Sequence, residues 1–336
     1  VDDLVALLKK MMLFGTKLVP APAVDIKKGA SKQLDADLVF TSDSDFSSAD
    51  DGASVSGQDG GKDTMRIRIQ AIQMLNVMAK SNFKCKFAEW KNLVPEQPGL
   101  LVPNPKYSSW TLSTVLLFDP CSRCRSAAAQ AYGALLENSR MYLAQCDDAV
   151  YVIFLFRTCI FSNKKLNRTK AAFTPFSQTL FAMVREIHNT FIMAIEKEQS
   201  SPVTVQVLKA FTTLVENAPY EKFKKYSVLP QIISILHKLI LSADRSIQNM
   251  ALTCLASVLG TREPIQDVQK LLDSAIATHS EHHQALVQPA SMGSNNTRDL
   301  LILLFDLFNE THASIVRIEA SIVLGHLAKN YPTVIQ

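Results

Sequence analysis

Along most of this chain, apolar residues recur at the three- and four-residue spacing of an amphipathic α-helix. Five of these stretches share one order of residues: an Ala lies three positions after a reference residue, and a Leu or Tyr lies four positions further on. The reference residues are Arg68, Arg125, Val207, Gln248 and Arg317. This recurrence predicts that one helical unit is repeated along the chain.

The distances between the reference residues favour repeats of helix pairs. Successive steps are 57, 82, 41 and 69 residues, and the step of 41 fits a helix-pair repeat of about 40 to 47 residues. Proline-rich and apolar segments account for the longer steps. Glycine is scarce, with 11 residues in 336, which suits helices. The sequence therefore predicts an all-α fold, an α-solenoid of stacked antiparallel helix pairs.

Composition divides the chain into three parts. Residues 1–16 predict an amphipathic N-terminal helix that Gly15 stops. One interpretation of this helix is that it ends a preceding repeat. Residues 17–63 are rich in Ser and Asp and too poor in apolar residues to offset the entropy of ordering, so we predict a disordered acidic linker. Residues 64–336 form the predicted solenoid, with an insertion at 148–170.

The insertion contains a largely apolar stretch, residues 149–162, in which Arg157 is the only charge. These fourteen residues are too few to cross a bilayer as a helix, which takes about 20. An insertion between repeats is favoured over an amphipathic membrane anchor. A peripheral membrane adaptor stays a third hypothesis.

Charge is distributed unevenly. The first 63 residues carry seven Lys and eleven Asp, a net charge of −4, and the remainder carries +8. In the acidic linker, Ser42, Ser44 and Ser48 are candidate sites for an acid-directed kinase, whose phosphates would add negative charge; an unmodified linker is the alternative. The basic residues of the body are spread rather than massed, so nucleic acid is disfavoured as a partner.

The cysteines predict an intracellular protein, cytoplasmic or nuclear. Six are scattered without the spacing of a disulfide framework, in a chain too large to need one. Cys121 and Cys124 form a single CxxC, with no second pair to complete a zinc site and no preceding strand of the kind a redox motif has. We interpret both as small apolar residues at the start of a helix.

Nothing in the sequence predicts catalysis. It has neither a glycine-rich phosphate loop nor a supporting motif for a Ser/His/Asp or Cys/His set. Three histidines lie close together, His279, His282 and His283. We interpret them as part of a polar loop, because a metal site would need a further ligand. We therefore expect no enzyme activity, no cofactor, no metal and no small-molecule substrate.

Three short motifs carry a family resemblance. They are Ala-Phe-Thr-Pro-Phe-Ser at 172–177, Arg-Glu-Ile-His at 185–188 and Leu-Val-Glu-Asn-Ala-Pro-Tyr at 214–220. With the acidic run before them, they resemble the HEAT-repeat-containing protein six family and its domain of unknown function, over about residues 66–336. Residues 150–165 depart from that pattern. The resemblance implies a HEAT-like α-solenoid scaffold without known catalysis, and it names no partner.

The second helix of each predicted pair is where we expect the function to lie. In HEAT arrays, polar residues at one register of these helices commonly form a ladder between repeats. The candidates for that ladder, or for contact with a partner, are Arg68, Arg125, Gln248 and Arg317. We expect a non-enzymatic scaffold or adaptor that binds other proteins, of unknown identity, through the concave face of the solenoid. The alternative is a binder of nucleic acid or acidic cargo that uses the basic body.

Overall fold

The computed structural model describes residues 2–16, 59–81, 87–95, 111–146, 176–223, 228–261, 265, 268–269, 272, 296–309 and 312–334. All regular structure in these ranges is helical, which confirms the predicted all-α fold. None of the helices in these ranges combines the length and the apolar composition needed to cross a bilayer. The chain divides into two compact units, residues 1–135 and 136–336.

Several predictions concern residues outside the described ranges. They are the linker serines Ser42, Ser44 and Ser48, the apolar stretch 149–162, and the histidines His279, His282 and His283.

Among the described residues of the first unit there are five α-helices. They are α1 (Asp2–Met11), α2 (Asp59–Ser81), α3 (Trp90–Leu93), α4 (Leu112–Phe118) and α5 (Ser122–Leu136). α1 packs against α2 and α3. The turn after α1 ends at Gly15, whose φ of +71° suits glycine, and a Cβ there would lie 2.8 Å from the side chain of Thr64 on α2. Gly15 therefore closes the turn and also lets α2 approach it.

α2 begins earlier than its sequence predicts. Residues 59–63 are helical, whereas composition assigned them to the acidic linker. Asp63, in this early part of the helix, forms an ion pair with Arg66, at 3.7 Å.

The helix after Pro120 has clear ends. Cys121 is the residue before α5, so Pro120 lies in the turn between α4 and α5. α5 stops at Leu136, and Asn138 takes a left-handed φ of 57°. Asn adopts this conformation more readily than most residues, and it ends the helix here.

Among the described residues of the second unit there are seven α-helices with both ends described and two short 3-10 helices, Tyr220–Lys222 and Pro332–Val334. The α-helices are α6 (Arg140–Leu143), α7 (Phe176–Lys197), α8 (Ser201–Asn217), α9 (Leu229–Ile240), α10 (Arg245–Leu259), α11 (Asn296–Asp306) and α12 (Ser314–Asn330). α7 packs on α8, α9 on α10 and α11 on α12, so neighbours in sequence form pairs. The second helix of each pair also packs on the second helix of the next pair: α8 packs on α10, and α10 packs on α12.

One side chain links the starts of two second helices. Asp244 is the N-cap of α10 and accepts hydrogen bonds from the backbone N–H groups of Ser246 (2.8 Å) and Ile247 (3.4 Å). Its other carboxylate oxygen accepts a hydrogen bond from the hydroxyl of Ser201, the first residue of α8. The contact fixes the register of α8 against α10.

The repeated Ala positions lie in the core. Five alanines, Ala71, Ala128, Ala210, Ala251 and Ala320, are all buried. The Leu or Tyr that follows by four residues is buried in the first four repeats, but Leu324 is half-exposed. On α12 it is Val323 and Leu327 that are buried instead.

Candidate functional site

Arg68 is the best-connected of the predicted ladder residues. Its Nε and Nη2 donate to the two carboxylate oxygens of Asp119, at 3.0 and 3.3 Å, and Nη1 donates to the backbone oxygen of Phe14 at 3.3 Å. Arg68 is 5% exposed and Asp119 is fully buried. The side chain therefore joins α2 both to the turn after α1 and to the turn between α4 and α5.

The buried pair is stabilised by more than its two charges. Oδ1 of Asp119 also accepts the backbone N–H of Cys121 at 2.8 Å. Burial raises the pKa of the Asp119 carboxyl, and the Arg68 guanidinium opposes that shift because it stabilises the carboxylate. For Arg68, burial opposes the charged form, but the charge of Asp119 and other contacts outweigh it, so the pKa of the guanidinium is raised. The two hydrogen bonds between the side chains favour the charged form of both groups.

Arg125 and Gln248 act within their own helix pairs. Nη1 of Arg125 donates to the backbone oxygens of Asp119 (2.8 Å) and Pro120 (3.0 Å), and Nε2 of Gln248 donates to that of Ile240 (2.9 Å). The carbonyl groups at the end of a helix lack partners within it. Both side chains therefore cap the end of the preceding helix.

Arg317, the fourth candidate, is placed differently. Its Nε is buried and makes no hydrogen bond to any described residue. Arg68 thus reaches beyond its own helix, since its partner Asp119 lies in the turn between α4 and α5.

A buried histidine connects two of the sequence motifs. Nδ1 of His188 lies 2.8 Å from the backbone oxygen of Val184, and Nε2 lies 2.8 Å from the hydroxyl of Tyr220. Because a carbonyl only accepts, Nδ1 carries the proton and Nε2 accepts a hydrogen bond from Tyr220. The ring also makes an edge contact with Phe211 on α8. His188 therefore ties α7 to α8 and to the turn after it.

The surroundings of His188 favour its neutral form. Burial lowers the pKa of the imidazole to about 4, although the hydrogen bond to Val184 acts in the opposite direction. Sequence reasoning did not single out this residue, because Tyr220 lies 32 positions further along the chain.

The second helices of the second unit also carry side chains that solvent reaches. Lys209 and Glu216 on α8 and Ile318 and Ile322 on α12 are exposed, and Met250 and Ser257 on α10 are partly exposed. The hydroxyl of Ser257 donates to the Glu216 carboxylate at 3.3 Å, which bridges α8 and α10. Ile318 is 58% exposed and Ile322 is 41% exposed. These exposed side chains therefore carry charges of both signs on α8 and are apolar on α12.

Comparison with known families assigns the chain. A family model described as a domain of unknown function (DUF4042) matches residues 66–268, more than half of the chain. The chain belongs to the DUF4042 family. The match confirms the predicted domain of unknown function and contains Arg68, Cys121, Cys124 and His188.

One relative of this DUF4042 protein is an uncharacterised protein of Dictyostelium discoideum. It is 26% identical over 210 residues, which cover 56% of this chain and 13% of that protein's length. The chain thus spans only a small part of this relative, whose name assigns no activity.

Two solved structures show a weak likeness to the DUF4042 chain. Both are crystal structures of engineered proteins from the Northeast Structural Genomics Consortium. The first is 15% identical with a TM-score of 0.34, and the match covers 79% of this chain and 91% of the solved chain. The second is 17% identical with a TM-score of 0.24, and the match covers 83% of this chain and 68% of the solved chain. TM-scores this low do not indicate a shared fold.

The CxxC of the DUF4042 domain lies at the start of α5. Cys121 is the residue before the helix and is half-buried, whereas Cys124 is fully buried. The Cys124 thiol lowers the pKa of Cys121 to about 6, against the effect of burial. The burial of Cys124 agrees with its interpretation as a small apolar residue at the start of a helix.

The second unit also has a cavity of about 340 Å³. It lies between the turn that joins α9 to α10 and the turn that joins α11 to α12. Its polar lining includes Arg245, Gln248, Asp306 and His312. Within the ranges that the structure describes, no three His, Cys, Asp or Glu residues are grouped closely enough to hold a metal. The cavity has room for a side chain of a bound protein.

Proposed function

We propose that this DUF4042 protein is a non-enzymatic scaffold or adaptor that binds other proteins through the concave face of a HEAT-repeat solenoid. The observation that carries the proposal is the packing of α8 on α10 and of α10 on α12. Second helices packed in this way present one continuous surface to a partner. The recurring Ala positions and the motifs similar to the HEAT-repeat-containing protein six family support the same assignment.

The exposed side chains of the second helices support a protein as the partner. Lys209 and Glu216 on α8 offer charges of both signs, and Ile318 and Ile322 on α12 offer large apolar side chains. Interfaces between proteins combine an apolar centre with a polar rim. A surface for nucleic acid would need concentrated positive charge, which these side chains lack. We therefore rank the binding of nucleic acid or acidic cargo second.

The test compares two charge substitutions in the same helix pair. Ile318→Asp changes the second helix, α12, and Ile302→Asp is the matched control on the first helix, α11, where Ile302 is 50% exposed. The tagged 336-residue chain and each variant are crosslinked in cell extract, and co-purified proteins are quantified by mass spectrometry. Circular dichroism checks that both variants keep their helices.

We expect Ile318→Asp to lose a set of proteins that the control retains. Equal loss in both variants, or no loss in either, would contradict binding through this surface. Recovery of nucleic acid alone, with a steep dependence on salt, would favour the alternative.

A further inference from the structure

α12 carries apolar side chains on two sides. One side is buried and includes Val323 and Leu327. Away from it, Ile315, Ile318 and Ile322 are exposed. A surface helix is normally polar on the side away from the core, and a helix that is apolar all round is normally buried. α12 therefore has the composition of a helix that is covered on both sides.

We propose that the outer side of α12, formed by Ile318, Ser321, Ile322 and Gly325, docks an amphipathic α-helix of a partner protein. This helix packs on α12 as α10 packs on α8 and as α12 packs on α10. The docking site rests on the proposed function, because Ile318 and Ile322 serve both, and it gives the chemistry of the partner.

The repeat places the outer side of α12 in register with covered sides of the two preceding second helices. Positions 1, 4, 5 and 8 after a reference residue lie within about 100° of one another around a helix of 3.6 residues per turn. On α8 and α10 these positions are all buried or half-buried; they are Leu208, Phe211, Thr212 and Val215, and Asn249, Leu252, Thr253 and Ala256. On α12 the same four positions are all exposed. α8 and α10 each have a following second helix packed on them, and the register predicts the same for α12.

A contact between α10 and α12 shows which side of a second helix receives the next one. Gly260 follows Gln248 by 12 positions, so it lies around the helix between positions 5 and 8. A Cβ at Gly260 would lie 2.9 Å from the ring of His326 on α12. α12 thus approaches α10 on the side that corresponds to its own outer side.

The shape of the outer side suits a helix. Ser321 and Gly325 are one turn apart, and a Cβ built on Gly325 would meet no atom within 4 Å. The axes of packed helices lie about 8–10 Å apart, and small side chains at the contact allow the shorter distance. Ile315, Ile318 and Ile322 follow one another at the spacing i, i+3, i+7, which is that of the anchor residues in helix recognition.

The second helices also indicate what the partner helix presents to α12. α10 and α12 each bury an alanine, Ala251 and Ala320, and an aliphatic residue seven positions further on, Val258 and Leu327. We expect the same order of small and aliphatic residues on the docking side of the partner. A charge on that side would be buried without a partner, because none of the four residues of the outer side is charged.

The test uses a synthetic helix as the probe for the full 336-residue chain. The probe has the sequence of residues 244–260, which is α10 with its N-cap, and carries fluorescein at one end. A helix of this length is marginal by itself in water, so a staple joins positions 249 and 253, on the side away from Ala251. Fluorescence anisotropy measures binding. We expect saturable binding to the wild-type chain and none by a probe with Ala251→Asp.

Gly325→Leu separates docking from folding. Its side chain enters open space, and Leu has a higher helix propensity than Gly, so we expect the melting temperature to be kept or raised. The same side chain fills the room that a docked helix needs, so binding of the probe should weaken by about tenfold or more. Gln231→Leu adds the same side chain at an exposed position of α9 and should bind as the wild type does.

Two results would overturn the proposal: no saturable binding of the probe to the wild-type chain, or equal binding to the wild type and to Gly325→Leu. Neither is the failure of the proposed function, because the extract experiment with Ile318→Asp needs no helical partner. Proteins lost from Ile318→Asp without binding of the probe would retain the scaffold and remove only the docked helix.

Discussion

Lowering the pH below 6.5 should weaken the second unit through His188. In the folded protein the pKa of this buried imidazole is about 4, whereas in the unfolded chain it is 6.5. Between these two values the unfolded chain binds a proton and the folded protein does not. The stability that His188 contributes is therefore fully present above pH 6.5 and is lost as the pH falls towards 4.

The size of the effect follows from the two pKa values. The difference between 6.5 and about 4 corresponds to about 3 kcal/mol of unfolding free energy, at 1.36 kcal/mol per pKa unit. Most of it falls within an accessible range, because moving from pH 7 to pH 5 removes about 2 kcal/mol.

Hydrogen exchange measures this loss locally. Peptides from α7 and α8 report the opening of these helices even if the two compact units unfold separately. Exchange at pH 7 and pH 5, corrected for intrinsic rates, gives the change in opening free energy. His188→Gln is the control, since it cannot gain a proton. The wild-type protein should lose about 2 kcal/mol more than the variant; equal losses would refute the assignment to His188.

Three further substitutions test the packing. Leu255→Asp places a charge in the fully buried core of α10 and should reduce the unfolding free energy by more than ~3 kcal/mol, whereas Leu324→Asp, at a half-exposed site, should reduce it by about 1; equal sensitivity to limited proteolysis would contradict this. Arg68→Met should cost about 3–5 kcal/mol in urea denaturation because Asp119 stays buried without its partner, and Asp119→Leu added to it should restore most of the loss. Gly15→Ala should lower the melting temperature by an amount equivalent to more than ~1 kcal/mol, since φ is +71° and the added methyl lies 2.8 Å from a side chain of α2; an unchanged melting temperature would contradict the strain.

Periodicity predicted the helices better than it predicted their ends. The spacing of apolar residues located the repeated alanines, all of which are buried, because burial of one helix face is a local property of the sequence. The break at Asn138 depends on one residue in the left-handed region, which the spacing of apolar residues does not report.

The sequence predicted a polar site only where a single residue marked it, and not where the site depends on two residues that are far apart in the chain. Arg68 was a candidate because it occupies the reference position of the repeat, and it is buried against Asp119. The link between His188 and Tyr220 depends on how α7 and α8 fold back on each other, which spacing does not give.

Photo-crosslinking from single positions tests the central claim most directly. A crosslinking amino acid is placed in turn at Lys209, Met250 and Ile318 on the second helices, and at Leu241 and Ile302 beside or on the first helices, where both side chains are exposed. The proposed scaffold predicts that the same protein is captured from all three second-helix positions and from neither of the other two. Capture only from Leu241 or Ile302 would contradict binding through the second helices.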